Sequence, residues 1–585
     1  MKTKLGKNKN WVELLVFSGV LLAVVWSCSD DFLDTENTDV LATDNFPARV
    51  EDIDLMVNDV YGRIRFGFFD GYPHAIVGVG ASHYGDQAFS DDRFDQGSRA
   101  NFNPDNPIIR EIWDKHYENI GKANATLEAI ERLRTNGTIL SGDELQTLSY
   151  REGEILFLRA WNYYYLINFF GESFITPSGG GERRGVPLIN RVPVSLEETQ
   201  RERATVQQVW DFIKRDLRQS EALLDNKTWD GDQRARVGIW AVKGFMGRAH
   251  VFTQQWDSAM TVLRDVIDNS GSSLVSFDVY ANMFNNENTF NSESIFEINY
   301  NDSDVSVGGW GKEDASTLYP ILIGPNYYAD PAENSPTCNG FCNFFLHDKS
   351  ILRFGWTDTT RITYNRPEYI DLSNRVRQDQ SVDPRLWVNA QQPRVDSIFV
   401  DDNMVAIAKN RGEGDMDTRD DYAWSFRKFT LTSRNFWSGP QAAIAMNMYW
   451  LRLADVYLLY AEANLNAGDN ATALEYINKV RRRAYDLPID AASAVDYPSL
   501  TAPTMASTGD PLSNDPLKYE RWAELFGEHG SWWFDVCRWR IGAEEAAYYE
   551  RVNSGELNWN DNRNYALPIP QTQINADNIG QNPGY

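Results

Sequence analysis

The chain has 585 residues, of which 42% are hydrophobic and 24% are charged, and this composition is typical of a globular protein with a sizeable core. Its formal net charge of −27 repels nucleic-acid phosphates and anionic lipid headgroups, so we exclude both as partners. Aromatic residues make up 13% of the chain, with 19 tryptophans, which leaves some of them free to stack on a ligand.

The N-terminus has the pattern of a signal peptide. A positively charged start is formed by Lys2, Lys4, Lys7 and Lys9. The apolar run over residues 14–26 is too short to span a bilayer and suits the hydrophobic part of a signal peptide. It ends at Ser27-Cys28, which resembles a bacterial lipobox, where the cysteine is acylated. We predict a signal peptide over residues 1–27, a lipid anchor at Cys28 and an acidic tether over residues 28–40. The alternative is an ordinary secretory signal with an incidental cysteine.

Helical periodicity dominates residues 41–270, which we predict to form an N-terminal helical region. Apolar residues recur every three to four positions in five segments, around 112–127, 155–167, 206–217, 240–249 and 258–267. Gly171 follows the second segment, and glycine commonly ends a helix. Four tryptophans on the apolar faces of these helices are expected in the core: Trp113, Trp161, Trp210 and Trp240.

Two predicted helix pairs share a register. In each pair a small residue is followed twelve positions later by alanine, and apolar residues follow four and seven positions after that. These positions are Gly247, Ala259, Leu263 and Val266 in one pair, and Ala461, Ala473, Ile477 and Val480 in the other. The spacing is similar to the tetratricopeptide pattern, although any antiparallel helix pair uses small contact residues.

Residues 271–445 differ in composition, and we predict a loop-rich insertion with small strands within a C-terminal region, 271–585. The insertion is rich in Asn, Asp, Gly and aromatic residues, with short strand-like pieces such as Ser294–Ile298. Long irregular segments in compact proteins are usually functional, which makes this insertion a candidate for ligand contact.

The cysteines have separate expected roles. Cys338 and Cys342 flank a glycine turn, and an oxidising exported compartment favours a small loop disulfide between them; the alternative is that they stay unpaired. A metal site there is disfavoured, because His347 is the only other soft ligand nearby. Cys537 lies among apolar residues and is expected to be unpaired and buried.

The sequence contains no zinc-binding His-Glu-x-x-His helix, no nucleophile elbow and no phosphate-binding glycine loop. Acidic pairs such as Asp91-Asp92 could serve a glycoside hydrolase, which needs two carboxylates across a sugar cleft. With 83 acidic residues, however, such pairs are expected by chance. We predict a binding protein without cofactor or metal, and keep a secreted glycoside hydrolase as the weaker alternative.

Charged residues also occur in the predicted C-terminal helices. Arg452, Glu462 and Arg521 stand in segments that are otherwise largely apolar. We predict that they form buried ion pairs between helix layers, with an architectural role.

Several segments, in order along nearly all of the mature chain, carry a resemblance to a known family. They cover residues 153–171, 203–210, 449–463, 520–535 and the tail at 567–585. Together they resemble the SusD/RagB family of nutrient-uptake lipoproteins. The resemblance implies a mainly α fold, in which tetratricopeptide-like helix pairs carry a loop-rich region containing small β-strands.

The resemblance also implies a location and partners. Such proteins are lipid-anchored in the outer membrane, face the cell exterior and cover a TonB-dependent transporter of the SusC-like kind. They have no known catalytic role, and they bind oligosaccharide or polysaccharide or, in some members, peptide. The tryptophan-rich insertion favours glycan over peptide for this chain, because sugar rings stack on exposed aromatic faces. A structural lipoprotein without a ligand is a third hypothesis.

A ligand site is predicted where two aromatic-rich stretches without helical periodicity meet, residues 82–102 and residues 310–437. No core face accounts for their aromatic residues, so we expect them at one shallow surface. The residues chosen as glycan contacts are Trp310, Tyr328 and Trp356, with Asp86 and Arg93 as partners for hydroxyl groups. The competing interpretation is that these side chains only fix long loops.

Overall fold

The computed structural model describes residues 46–65, 71, 73–82, 85–87, 92–300, 317–324, 327–328, 343–346, 348–356, 367–392, 395–400, 403–406, 409–410, 424–430, 446–553, 557–577 and 579–585. The chain divides into two compact units, residues 1–52 and 53–585, and the contacts given below lie within the second. Across these described ranges, no helix combines the length and hydropathy that crossing a bilayer requires. The predicted signal peptide, tether and lipid anchor lie outside them.

The predicted N-terminal helices are all present. In chain order the helices are α1 (Val50–Ile64), α2 (Asp92–Ser98), α3 (Pro107–Thr135), α4 (Gly142–Phe170), α5 (Leu196–Thr199), α6 (Val206–Leu223), α7 (Ile239–Phe252) and α8 (Trp256–Asn269), with a π-helical segment at His74–Ala81 and a 3-10 turn at Gly231–Gln233. Helix α4 starts well before the predicted segment, because Ser141 and Glu144 form a reciprocal capping box at its N-terminus. It ends at Gly171, as predicted.

The described part of the insertion consists of short elements. Its helices are α9 (Phe277–Asn282), α10 (Tyr319–Ile323), α11 (Asp348–Arg353), α12 (Pro367–Asp379) and α13 (Leu386–Asn389), with a 3-10 turn at Met283–Asn285.

Across the described residues the strands are β1 (Gly85–Gln87), β2 (Arg184–Pro187), β3 (Arg203–Thr205), β4 (Ser294–Ile298), β5 (Tyr327–Tyr328), β6 (Phe344–Leu346), β7 (Ala390–Gln391), β8 (Ser397–Val400), β9 (Asn403–Ala406), β10 (Lys409–Asn410), β11 (Ser425–Phe426) and β12 (Met448–Arg452). The described strands form antiparallel pairs, β1–β6, β2–β3, β4–β12, β5–β10, β7–β11 and β8–β9.

Helices return after the insertion. They are α14 (Leu453–Ala467), α15 (Asn470–Ala484), α16 (Pro516–Glu524), α17 (Ser531–Trp539), α18 (Gly542–Asn553) and α19 (Gln571–Asp577). Successive helices pack on one another, α3 on α4, α4 on α6, α6 on α7, α7 on α8, α8 on α14 and α14 on α15. The mainly α fold with stacked helix pairs and small strands is therefore confirmed.

The small residue of the first repeat-like pair works as its pattern predicts. A Cβ atom added to Gly247 would stand 2.3 Å from Cδ2 of Leu263, so only glycine allows α7 and α8 to approach this closely.

In the core, Trp113, Trp161 and Trp210 are buried, as expected. Trp240 is not: it is half-buried, with the Lys243 ammonium 5.2 Å from its ring centroid, so its predicted core position is wrong. Among the described cysteines, Cys537 is free and buried, as predicted.

Buried ion pairs join the helix layers, and the prediction for Arg452, Glu462 and Arg521 is confirmed. The Arg452 guanidinium lies 2.8 Å from Glu293, 2.5 Å from Glu524 and 2.7 Å from Glu528. This charge-balanced cluster also includes Asp383, Arg385, Lys428, Arg481, Arg483 and Glu520. Such a balance limits the cost of burying charge, because each ion has an opposite partner.

A second buried row of ion pairs alternates in sign from one residue to the next. It runs Arg248, Asp455, Arg521, Asp535, Arg538 and Glu462, with three cations and three anions. Adjacent members are 2.5–3.0 Å apart. The row ties α7, α14, α16 and α17 together.

Candidate functional site

The two stretches predicted to share a surface are joined by a strand pair. Strand β1 pairs with β6, so that Asp86 lies opposite Phe345 and Gln87 opposite Phe344. These partners are more than 250 positions apart in the sequence, and the pairing brings the 82–102 stretch against the insertion. The strand pair is therefore the backbone frame of the candidate site.

Helix α2 packs against this frame. Phe94 is buried, and its ring centroid lies 5.7 Å from that of Phe344 on β6. The Asn106 side chain, which caps α3 by accepting from Ile108 N–H, also donates to Gln96 Oε1 at 2.9 Å and to the Arg93 carbonyl at 3.4 Å. The backbone of Arg93 is thus held in place while its side chain is exposed, with the guanidinium carbon 5.9 Å from the Phe94 centroid.

The π-helical segment packs against strand β1 of this pair and also contacts α2, α10 and α17. Its first residue, His74, is fully buried and stacks on Tyr319 at a centroid distance of 3.8 Å. The Tyr319 hydroxyl donates to the Gly527 carbonyl at 3.2 Å. Burial, reinforced by the nearby His529, lowers the pKa of His74 to about 3, so this imidazole is neutral at physiological pH.

Trp356 does not offer a face to a ligand. It is 2% exposed, and its ring lies 5.1 Å from Trp424 and 6.3 Å from Trp387, centroid to centroid. The cause is the end of α11: Gly355 has φ +96°, its N–H donates to Leu352 O, and Trp356 N–H donates to Ile351 O. This Schellman motif turns the residue after the glycine back onto the helix. The prediction that Trp356 is exposed is wrong.

For two of the other predicted site residues, the structure locates the backbone only. Asp86 and Tyr328 are located by their strands, β1 and β5, and Tyr328 lies opposite Lys409 of β10. Their side chains, like all of Trp310, lie outside the described residues. Cys338 and Cys342, the predicted disulfide, also lie outside them.

Sequence reasoning missed two tryptophans that line cavities. Trp256 and Trp539 are half-buried and border concave surfaces formed by described residues. A local signal existed for Trp256, because it follows two glutamines in the short turn between α7 and α8. Trp539 gave no such signal, since it ends the apolar helix α17, where a core position was the natural expectation.

The architecture defines a class: an α-helical protein of tetratricopeptide-like helix pairs that carries a loop-rich region with two-stranded ladders. A sequence model of the SusD family matches residues 292–585, and one described as starch-binding associating with outer membrane matches residues 31–251. The chain belongs to the SusD family.

Relatives and solved structures resemble this chain along most of its length. A SusD-like protein of Bacteroides ovatus is 23% identical, with 90% of this chain and 82% of that protein covered. A laminarin-binding SusD-like protein of solved structure has a TM-score of 0.64 at 22% identity, covering 92% of this chain and 99% of that one. Surface glycan-binding protein A of Bacteroides thetaiotaomicron, solved with laminarihexaose, has a TM-score of 0.62 at 19% identity, covering 91% and 99%.

Proposed function

We propose that this chain is a cell-surface glycan-binding lipoprotein that captures oligosaccharide or polysaccharide and delivers it to a TonB-dependent outer-membrane transporter. The observation that carries the proposal is the β1–β6 pair, which brings the Arg93 stretch against the aromatic-rich insertion. Two similar structures are described as binding laminarin or laminarihexaose, and one matching family description names starch binding and the outer membrane. Within this proposal the chain has no catalytic role.

The proposed location follows from the N-terminal sequence. Cleavage before Cys28 and acylation of that cysteine would anchor the chain in the outer membrane, facing the exterior. The acidic residues that follow would form the tether. Stable attachment by lipid needs more than one acyl chain, which lipoproteins carry on a single cysteine.

The ligand class is tested by binding to the purified full chain. Laminarin, starch, xylan and a tryptic digest of casein are titrated in turn by calorimetry. We expect one or more polysaccharides to bind and the peptide digest not to bind. Arg93→Ala should weaken binding of the polysaccharide about tenfold, which is the effect of losing a charged hydrogen bond. Arg191→Ala, at an exposed arginine of another segment, is the matched control. Binding of the digest alone would support the peptide alternative instead.

A further inference from the structure

Two adjoining cavities form a cleft away from the β1–β6 frame. Their volumes are about 640 Å³ and 210 Å³. Four lining residues are common to both: Gln254, Asn466, Arg538 and Trp539. The walls come from the turn after α4, the α7–α8 turn and the ends of α14 and α17. The larger volume falls within the range of small-molecule sites.

The cleft combines aromatic surface with amides and a carboxylate. The Trp256 side chain is half-buried and makes no hydrogen bond, ion pair or ring contact with the described part of the chain. The Trp539 indole N–H donates to Glu462 Oε1 at 2.9 Å, which fixes the orientation of its ring. Asn466 donates to the Glu462 carbonyl at 2.9 Å and keeps its amide oxygen for another partner. Aromatic faces beside hydroxyl-binding groups are what a sugar ring requires.

Most charged side chains of the cleft are paired with one another, including Arg183 with Glu182 at 3.7 Å. Arg538 and Glu462 end the buried alternating row, at 2.5 Å, and Lys518 pairs with Asp515. Arg540 donates to the Ser173 hydroxyl at 2.9 Å. Because Arg183, Arg538 and Lys518 are engaged by carboxylates, an anionic ligand would have to compete with these carboxylates for the cations, which favours an uncharged ligand. The row also fixes the walls in position, which lowers the entropy cost of binding.

One side chain is held at the cleft at a conformational cost. Gln254 follows the end of α7 with φ +55°, a position that helices usually give to glycine. Its side-chain amide makes no hydrogen bond within the described residues. A glutamine kept in a left-handed conformation, with its amide unpaired at a cavity wall, indicates a role outside the fold itself.

We infer that this cleft is a second saccharide site, which binds a short uncharged oligosaccharide between Trp256 and Trp539 with the Gln254 and Asn466 amides on its hydroxyl groups. The inference rests on the proposed function, because it adds a site for the same class of ligand. It is independent of the β1–β6 surface, with which the cleft shares no lining residue.

The test uses the full chain with maltohexaose, cellohexaose and laminarihexaose, titrated by calorimetry, and the casein digest as competing class. Trp256→Ala and Gln254→Gly are compared with the wild type. The matched control is Asn226→Gly, since Asn226 is exposed, has φ +56° and does not line the cleft. Melting temperatures are recorded for every variant.

We expect at least one hexasaccharide to bind the wild type, and both cleft variants to bind it roughly fivefold to tenfold more weakly or at lower stoichiometry. Gln254→Gly should not lower the melting temperature, because glycine adopts this backbone conformation without strain. Asn226→Gly should bind as the wild type does.

Unchanged affinity and stoichiometry in both cleft variants would overturn the second site and leave the proposed function standing. A wild type that binds none of the hexasaccharides or polysaccharides would overturn both. Casein peptides that bind in a Trp256-dependent way, without hexasaccharide binding, would reassign the cleft to peptide and so also overturn the inference.

Discussion

Arg452 shows how single residues connect the layers of this molecule. Its side chain is 1% exposed and contacts the carboxylates of Glu293, Glu524 and Glu528. An unpaired carboxylate in such a place would lack both water and a counterion. Arginine suits the position because its planar guanidinium donates five hydrogen bonds in fixed directions.

Replacement of this arginine should be costly. We expect Arg452→Met to lower the free energy of unfolding by about 3–5 kcal/mol, because it removes one cation from a charge-balanced buried cluster and leaves an excess of negative charge there. Urea denaturation followed by circular dichroism measures the change. The control is Arg191→Met, which removes an exposed arginine paired with Glu198 at 2.7 Å and should cost about 0–1 kcal/mol. Equal losses in the two variants would refute the view that burial sets the cost.

Three buried histidines predict a dependence of stability on pH. Burial is the main cause that lowers the pKa of His74 and of His529 to about 3 and that of His116 to about 4. In the unfolded chain a histidine titrates near 6.5, so unfolding takes up protons when the pH lies between these values. Stability conferred by the neutral form is therefore complete above pH 6.5 and declines as the pH falls.

Between pH 6.5 and 5, we expect the free energy of unfolding to fall by about 1.4 kcal/mol per pH unit for each histidine that protonates on unfolding. This window lies above the range where buried glutamates such as Glu524, with a pKa of about 2, begin to contribute. Urea titrations at several pH values measure the slope. His529→Gln should reduce proton uptake by about one, whereas a stability that is constant over this window would argue against buried neutral histidines.

At the scale of helices, glycine positions separate close packing from helix propensity. Gly247→Ala should destabilise the protein by about 1–3 kcal/mol, because the new methyl group would stand 2.3 Å from Leu263 Cδ2. Gly121 in α3 has no atom within 4 Å of its added Cβ. Gly121→Ala should therefore stabilise the protein by up to about 1 kcal/mol, through helix propensity alone. Melting temperatures that shift in the same direction in both variants would contradict the close approach of α7 and α8.

The elements that sequence reasoning placed correctly are those with local signals. The periodicity of apolar residues and Gly171 located α4, because both depend on residues within one helix. Strand β1 could not be matched to β6 in this way, since pairing over more than 250 positions leaves no local pattern. Trp356 was misjudged although Gly355 gave a local signal for the turn at the end of α11, because the turned side chain is buried against Trp424, which is distant in sequence.

The proposed lipid anchor at Cys28 would place the whole protein in the outer membrane. Metabolic labelling of the source bacterium with a fatty-acid analogue should tag the native protein and leave Cys28→Ala untagged. The reason is that the predicted acylation needs the cysteine that ends the apolar run. Cys537→Ala is the control, because this buried thiol should have no part in acylation. Equal labelling of native protein and Cys28→Ala would exclude the assignment.

The proposed delivery of glycan requires a transporter partner, which is a TonB-dependent barrel. Extraction of tagged protein from membranes in a mild detergent should yield that barrel alongside it. Cys28→Ala should yield less of it, since the variant is not held at the membrane. If the native protein elutes without a barrel, delivery to a transporter is no longer supported.

The proposed capture of glycan at the cell surface is measured by the binding of fluorescently labelled polysaccharide to intact cells. Cells of the source bacterium with and without the gene are compared by flow cytometry, using a polysaccharide that binds the purified chain. We predict that cells carrying the protein bind the labelled polysaccharide and that cells lacking it lose most of this binding, which returns with the wild-type gene. Equal fluorescence of the two strains would contradict capture of glycan by this protein at the cell surface.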